Sequence, residues 1–185
     1  MASQFIHITL PDGTRKQVPA GCTVREALTP EGGRLDAKVL AAKINGEPMD
    51  LSRPLEQDAT IEPLTFESAE GREVYRHSST HIMAQAVKEV FPTAQLTIGP
   101  ALDDGFYYDF AFDRPFTPED LEKIEARAIE IMKRGLTVTR SELSKQDAIK
   151  FFQERGEGYK VELINSFDDA SPISLYRQGE FVDLC

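Results

Sequence analysis

Basic residues are scarce in this chain, and their scarcity narrows the functions that it can perform. The 185 residues include 21 lysines and arginines against 31 aspartates and glutamates, which gives a formal net charge of −10. Proteins that grip nucleic acid along its phosphate backbone usually carry a basic face. The charge therefore argues against a module whose main task is to bind RNA along its length.

Cysteine is equally scarce, with Cys22 and Cys185 as the two in the sequence. They are far apart and belong to no paired pattern, which excludes a disulfide framework and a four-cysteine zinc site. Any thiol chemistry must therefore use a single sulfur atom.

The sequence also has no charged-then-apolar leader and no long apolar run. A membrane-spanning helix needs about 20 apolar residues in succession, so we expect no membrane association and predict a cytoplasmic location. The hydrophobic content of 41% is nevertheless enough for one or two packed cores.

The first part of the chain, residues 1–66, predicts a small ubiquitin-like, β-grasp domain. In "FIHITLPDGTRKQVP", apolar and polar residues alternate before Asp12-Gly13, which is a strong hairpin turn. Thr23 is a suitable cap for a short helix in "CTVREAL", and Asn45-Gly46 marks a second turn before a last strand at "ATIEPLTF". Polar "ESAEGR" then separates this part from the rest.

The second part, residues 67–185, predicts an α+β domain with a mainly antiparallel sheet. It opens with a helix in "YRHSSTHIMAQAVKEVF" and continues with a strand, an Asp104-Gly105 turn and an aromatic strand in "QLTIGPALDDGFYYDFAF". A strand "LTVTRSEL", a helix "SKQDAIKFFQERG" and a strand pair around "LYRQGEFVDLC" follow a further helix. That further helix is marked by Thr117 as N-cap and Gly135 as stop, and its predicted buried stripe is Leu121, Ile124, Ala128 and Ile131.

Two of the three histidines, His77 and His81, lie four residues apart in the first of these helices. At roughly 100° per residue they fall with Lys88 on the side opposite the apolar stripe, which consists of Tyr75, Ile82, Met83, Ala86 and Val90. The spacing would let two imidazoles share a metal or a substrate, but surface histidines, or histidines in a helix buried on both faces, would show it too. Ser78 stands where zinc proteases carry a glutamate base, which excludes that class.

Further segments, taken with the histidine helix, resemble the amino-terminal part of bacterial threonyl-tRNA synthetase. The stretches "ITLPDGTRKQVPAG" and "AAKINGEPMDLSRPLEQDATIEPLTF" are similar to its ubiquitin-like TGS domain. The segments "RHSSTHIMAQAVKEVFP", "IGPALDDGFYYDF", "RGEGYKVELI" and "FVDLC" follow in the order of its editing domain. Because the family continues into a class II catalytic domain and an anticodon-binding domain, the resemblance implies that this chain is a fragment.

The resemblance implies an aminoacyl-ester hydrolase pocket, with His77 and Lys160 as catalytic residues and His81, Tyr108, Asp183 and Cys185 as substrate-binding residues. His77 would accept a proton from water or from the ribose 2′-hydroxyl. Lys160 would stabilise the ester oxyanion, Asp183 would hold the substrate ammonium group, and Tyr108 would orient substrate or water.

Other roles for the same residues stay open without the resemblance. Lys160 would fit a solvated loop lysine, Tyr108 a core aromatic residue and Asp183 an edge-strand charge. Cys185 would be a ligand or a pocket wall, because the sequence shows no base for a thiolate beyond the histidines.

The implied activity is proofreading hydrolysis of mischarged seryl-tRNA(Thr). Serine is threonine without a methyl group, a difference that changes binding by only roughly 1–3 kcal/mol, so a second site must remove the error. The implied partners are the serine-carrying acceptor end of tRNA(Thr), the rest of the synthetase and its homodimer. Editing would require no cofactor, and ATP and zinc would serve only the catalytic domain that this chain does not contain.

Two other interpretations remain at this point. One is a ubiquitin-like binding or regulatory module with a structural zinc ion on His77, His81 and Cys185, and the other is an alanyl-type editing protein that favours seryl-tRNA(Ala). In the family the cysteine begins a CxxxH element, and nothing follows Cys185 here. We therefore expect weak or no zinc binding and reduced hydrolysis.

Stability should respond little to loss of the predicted catalytic residues. Neither His77 nor Lys160 lies in a predicted apolar stripe. We therefore expect replacement of either residue by alanine to lower hydrolysis with little loss of folding.

Overall fold

A computed structural model describes residues 4–168 and 172–185. The chain divides into two compact units, one up to Tyr75 and one from Arg76 onward. The division falls within a long helix, whereas the sequence placed the domain boundary at residues 66 and 67, and that boundary remains a prediction.

In the residues that the structure describes, the first unit is a five-stranded sheet with a short helix and the beginning of a long one. Strands β1 and β5 run parallel at its centre, and the other neighbouring strands are antiparallel, in the order β2-β1-β5-β3-β4. This topology confirms the predicted β-grasp class. The elements are β1 (Phe5–Thr9), β2 (Arg15–Pro19), α1 (Val24–Leu28), β3 (Ala41–Ile44), β4 (Glu47–Met49) and β5 (Ala59–Leu64).

Local signals account for much of this unit. Thr23 and Glu26 form a reciprocal capping box at the start of α1, as the sequence predicted for Thr23. Asn45 and Gly46 adopt φ angles of 52° and 90°, the left-handed conformations that a two-residue hairpin turn requires. The inward side chains of β1, including Ile6 and Ile8, pack with α1 in one apolar cluster.

Outside residues 169–171, the second unit combines a three-stranded antiparallel sheet, in the order β10-β9-β8, with a two-stranded ladder of β6 and β7 and four helices. This arrangement confirms the predicted α+β class with a mainly antiparallel sheet. Its elements are α2 (Ala69–Val90, begun in the first unit), β6 (Gln95–Leu96), β7 (Phe110–Ala111), α3 (Pro118–Arg134), β8 (Val138–Leu143), α4 (Lys145–Gln153), α5 (Gly158–Asn165), β9 (Ile173–Gln178) and β10 (Phe181–Leu184).

Helix α3 begins and ends where its cap residues predict. Thr117 accepts from the amide of Asp120, and Gly135 closes the helix in the left-handed region with a φ of 57°. The predicted buried stripe is wrong at Leu121, which is 57% exposed. Asp120 is buried in its place, because its carboxylate caps Thr117 and pairs with Arg114.

Helix α2 starts earlier and is covered more fully than the sequence suggested. The polar segment predicted as a separator is largely helical, since the helix begins at Ala69. Tyr75, at the start of the predicted apolar stripe, is half exposed, whereas Ala84, Ala86 and Val87 are fully covered. No helix in the described part of the chain has the length and apolar character needed to cross a membrane.

The predicted strands around residues 95–112 are much shorter than expected. Each paired segment has two residues, and most of the stretch between them is irregular backbone. Leu102 and Gly105 exchange backbone hydrogen bonds, so the tight turn lies between them rather than at Asp104-Gly105. The loop is held instead by single contacts, such as that of the Asp109 amide with the Ile98 carbonyl at 2.9 Å.

Candidate active site

Helix α2 places His77 and His81 one turn apart on the same face, as their spacing predicts. Their ring centroids are 4.8 Å apart. His77 Nε2 lies 3.1 Å from Cys185 Sγ, and His81 Nδ1 lies 2.7 Å from Asp183 Oδ2. The two histidines therefore face the end of β10, which is about a hundred residues away in sequence.

Asp183 is the centre of the cluster and is 2% exposed. Besides its bond with His81, it accepts from the Tyr108 hydroxyl at 3.3 Å and from the Leu184 amide at 2.9 Å, and it pairs with Lys160 Nζ at 2.6 Å. Burial alone would raise the pKa of Asp183, but the His81 hydrogen bond and the Lys160 charge hold the pKa well below its usual range. A permanent carboxylate therefore joins four separate parts of the unit.

Lys160 projects from α5 into this cluster and is 1% exposed. Its ammonium group is 5.1 Å from the Phe152 ring centroid and 5.8 Å from that of Phe181. The ammonium group forms an ion pair with Asp183, with Nζ 2.6 Å from Oδ1. The interpretation of Lys160 as a solvated loop lysine is thus wrong, because α5 turns its side chain inward.

His81 is held as an imidazolium. Burial disfavours its charge, but the hydrogen bond with Asp183 and the neighbouring Cys185 outweigh this and raise the pKa of His81 to about 9. Its Nε2 atom is buried and has no hydrogen-bond partner of good geometry among the residues described. His81 therefore presents a positive charge rather than a free basic nitrogen at neutral pH.

Tyr108 comes from the irregular segment before β7 and is largely enclosed. Its ring stacks on Phe110 with centroids 4.8 Å apart and packs directly against Gly99. Burial and the charge of Asp183 raise the pKa of Tyr108, so its hydroxyl stays protonated and acts as a donor. The interpretation of Tyr108 as a core aromatic residue holds for its ring, which packs on Phe110 and Gly99, but its hydroxyl donates to Asp183 in the cluster.

Cys185 follows β10, and its backbone amide donates to the Ser174 carbonyl at 3.0 Å. Burial of the sulfur raises the pKa of the thiol, but His77 and His81 outweigh this and lower the pKa to about 7. Cys185 thus carries thiolate character at neutral pH, and the two histidines are its cause.

The donor atoms of His77, His81 and Cys185 lie within 4.8 Å of one another. Donors on one tetrahedral zinc ion lie roughly 3.3–3.6 Å apart, because Zn–N and Zn–S bonds measure about 2.0–2.3 Å. The cluster has zinc-binding side chains, but it would have to contract and give up the proton of His81. Asp183 on the far nitrogen of His81 would then orient that ligand.

Sequence reasoning missed Tyr176. This residue stacks on His81 with an interplanar angle of 19° and a centroid distance of 6.3 Å. In the β9-β10 hairpin it pairs with Asp183, and Phe181 pairs with Gln178 across the turn. Counting back from that turn would have placed Tyr176 beside the site.

Comparisons with known proteins agree with this architecture. Residues 6–65 match the TGS domain family. The chain is 52% identical over 183 residues to a threonine–tRNA ligase of Symbiobacterium thermophilum, 50% over 180 residues to one of Citrifermentans bemidjiense, and 48% over 181 residues to one of Acetivibrio thermocellus. These matches cover 97–99% of this chain and 28% of each relative. They confirm the resemblance that the sequence motifs predicted.

Proposed function

The chain corresponds to the amino-terminal region of threonine–tRNA ligases and carries a TGS domain at residues 6–65, and we propose that its second unit hydrolyses seryl-tRNA(Thr). Aminoacylation, with its ATP and zinc, would need parts of the enzyme beyond this chain. The observation that carries the proposal is the buried carboxylate of Asp183, which gathers His81, Tyr108 and Lys160 from three other parts of the unit. Ester hydrolysis by an editing site uses a base, a cation near the developing oxyanion and an acceptor for the substrate ammonium group.

His77 is the proposed general base. His81 is unsuitable because its pKa of about 9 keeps it protonated and its Nδ1 is bound to Asp183. His77 would take the proton of the attacking water, either directly or through the ribose 2′-hydroxyl, which passes on its own proton and receives that of the water, while the water oxygen attacks the ester carbonyl carbon. The protonated ring would then return that proton to the departing ribose oxygen.

Lys160 is proposed to stabilise the oxyanion of the tetrahedral intermediate. Its charge is buried, where electrostatic attraction is stronger than in water. The ammonium group has three N–H donors, so it would still have donors for the oxyanion beside its contact with Asp183. Asp183 would accept the substrate ammonium group in exchange for part of its contact with Lys160.

Cys185 offers a second chemistry within the same pocket. With His77 at 3.1 Å and a thiol pKa of about 7, it has the features of an activated nucleophile. We keep the role of pocket wall for Cys185, and the Cys185→Ala variant separates the two roles. Loss of a nucleophile would abolish hydrolysis, whereas loss of a wall would leave serine release intact and let threonine enter.

The deciding experiment compares deacylation of seryl-tRNA(Thr) and threonyl-tRNA(Thr) by the unmodified chain and by His77→Ala. We expect release of serine, survival of the threonyl ester through steric exclusion of its methyl group, and strong loss of activity in the variant. Equal hydrolysis of both esters would contradict selection by size. Serine release that persists in His77→Ala would contradict the assigned base.

A structural zinc module is the second candidate function, favoured by the three clustered donors of His77, His81 and Cys185. We propose instead that hydrolysis is metal-independent, because zinc must displace a proton from His81 at neutral pH. Zinc titration by calorimetry, with chelator-treated protein assayed in parallel, tests this choice. Tight stoichiometric binding with no deacylation would favour the zinc module.

The proposed partners are the acceptor end of tRNA(Thr), the rest of the ligase and its homodimer, and the proposed location is the cytoplasm. The similarity to threonine–tRNA ligases supports the tRNA and the ligase as partners. The strong negative charge of this chain fits a module that contacts only the end of the tRNA.

A further inference from the structure

A second ion pair, between the buried carboxylate of Glu157 and the partly exposed ammonium group of Lys88, lies in the same unit as the proposed catalytic cluster. Glu157 is 6% exposed, and its Oε1 atom is 2.8 Å from Lys88 Nζ. Its other carboxylate oxygen, Oε2, is buried without a hydrogen-bond partner among the described residues. Burying a carboxylate with a partner for only one of its oxygens costs folding free energy. Apolar residues of similar volume often stabilise a protein as well as a buried ion pair does, or better. Stability alone therefore does not explain this pair.

Helix capping does not explain it either. Glu157 occupies the N-cap position of α5, but its side chain makes no capping hydrogen bond. Its carboxylate is directed at Lys88 on α2 instead, so the interaction joins two helices.

Lys88 fixes three segments at once. Its ammonium group donates to the Ala94 carbonyl at 2.9 Å while it pairs with Glu157. It thereby ties the last turn of α2 to the chain that leads into β6 and to the start of α5.

The two helices joined in this way carry the catalytic groups. Lys160 lies one turn after Glu157, about 4.5 Å along α5, and His81 lies two turns before Lys88, about 10 Å along α2. On the catalytic side the helices are also connected, through His81, Asp183 and Lys160. Two polar bridges thus link α2 with α5, and one of them consists of the proposed reacting groups.

We propose that Glu157 and Lys88 are positioning residues that hold Lys160 in place during ester hydrolysis, an inference that rests on the proposed function. When Asp183 accepts the substrate ammonium group, the bridge through Asp183 and Lys160 loosens. The bridge of Lys88 and Glu157 touches no substrate and keeps the start of α5 fixed. Its loss should therefore weaken stabilisation of the transition state more than binding of the substrate.

The first test is steady-state deacylation of seryl-tRNA(Thr) by Glu157→Gln and Lys88→Met. We expect kcat to fall by about tenfold or more in each, as for a displaced catalytic group, with KM changed by less than about twofold. Glu162→Gln is the matched control, since it removes the same charge from an exposed position of the same helix. An unchanged kcat in folded Glu157→Gln, or an equal loss in Glu162→Gln, would overturn the proposal.

The second test separates positioning from general support of the fold. In a Lys160→Met background, Glu157→Gln should cause little further loss of kcat, within about twofold, because no ammonium group is left to position. Losses that simply multiply in the double variant would assign Glu157 a purely structural role. Circular dichroism spectra of each compared variant would check that it is folded.

Amide hydrogen exchange tests the bridge between Lys88 and Glu157 without depending on deacylation activity. If the unmodified chain releases no serine, the proposed function fails, and the bridge is judged by amide exchange in Gly158–Asn165. We expect faster exchange of this helix in Glu157→Gln than in Glu162→Gln, with α3 unchanged as the internal reference. Equal rates of amide exchange in α5 of the two variants would contradict the proposed role of the bridge, whatever deacylation activity is measured.

Discussion

Replacing Lys160 by methionine should destabilise the second unit strongly. Lys160 and Asp183 are both almost fully buried and lie 2.6 Å apart, so the variant leaves a buried carboxylate with fewer compensating charges. Removing one partner of a buried pair costs roughly 3–5 kcal/mol. Because Asp183 keeps His81, Tyr108 and the Leu184 amide, we expect the lower end of that range, about 3 kcal/mol.

This expectation replaces the one made from sequence, which foresaw little effect on folding. The measurement is urea unfolding followed by far-ultraviolet circular dichroism, with the free energy extrapolated to water. Lys150→Met is the matched control, because Lys150 is exposed on the neighbouring helix α4. Its change in stability should stay within about 0.5 kcal/mol.

The double variant Lys160→Met/Asp183→Leu identifies the cause. If an unpaired carboxylate is responsible for the loss, removing it should recover part of the stability, since apolar replacements of buried pairs are often neutral or stabilising. A loss below about 1 kcal/mol in Lys160→Met would show that the buried pair matters little. A double variant less stable than the single one would show that the charge is not the cause.

Three further outcomes are expected. The folded pKa of His81, about 9, exceeds the value of about 6.5 in an unfolded chain. Its contribution to stability is therefore full below about pH 6.5 and lost as the pH rises through about 9. The Cys185 thiol, whose pKa is lowered to about 7, adds stability over part of the same range, so the melting temperature of the unmodified chain should fall relative to that of His81→Gln across that window. Gly99→Ala should lower deacylation because a methyl group there overlaps the Tyr108 ring, whereas Gly105→Ala, with open space around it, should not; equal activities would refute the contact. Gly46→Ala should cost about 1 kcal/mol in urea unfolding because the turn holds this residue at a φ of 90°, and an unchanged midpoint would contradict that strain.

Elements fixed by local chemistry could be predicted from the sequence. The ends of α3 follow from Thr117 and Gly135, and the hairpin before β4 follows from Asn45 and Gly46, because caps and tight turns depend on a few adjacent residues. The order of such elements, together with the family resemblance, was enough to predict both fold classes.

Burial was less predictable, because it depends on what packs against each element. Leu121 has the right helical position for the core, yet Asp120 is buried in its place through Arg114, which precedes the helix. The inward direction of Lys160 depends in the same way on an aspartate 23 residues further along the chain. No local pattern encodes these contacts.

The lengths of strands β6 and β7 were also not predictable from local sequence. Their sequences have high strand propensity, but Gly99 must pack against Tyr108, and the chain follows that contact instead of a regular ladder. The site residues were named through the resemblance, and their bonding around Asp183 required the tertiary structure.

The long-range assembly of the site around Asp183 has a consequence for protein synthesis. His81 leaves the ribosome 102 residues before Asp183, and Tyr108 leaves 75 residues before it. Because a chain is synthesised at about 5–20 residues per second, several seconds pass between the synthesis of His81 and that of Asp183, its charged partner. The histidines and Tyr108 of a nascent chain are therefore present before the cluster can form. During that interval His81 has no Asp183 to pair with, and the proposed hydrolytic site is incomplete.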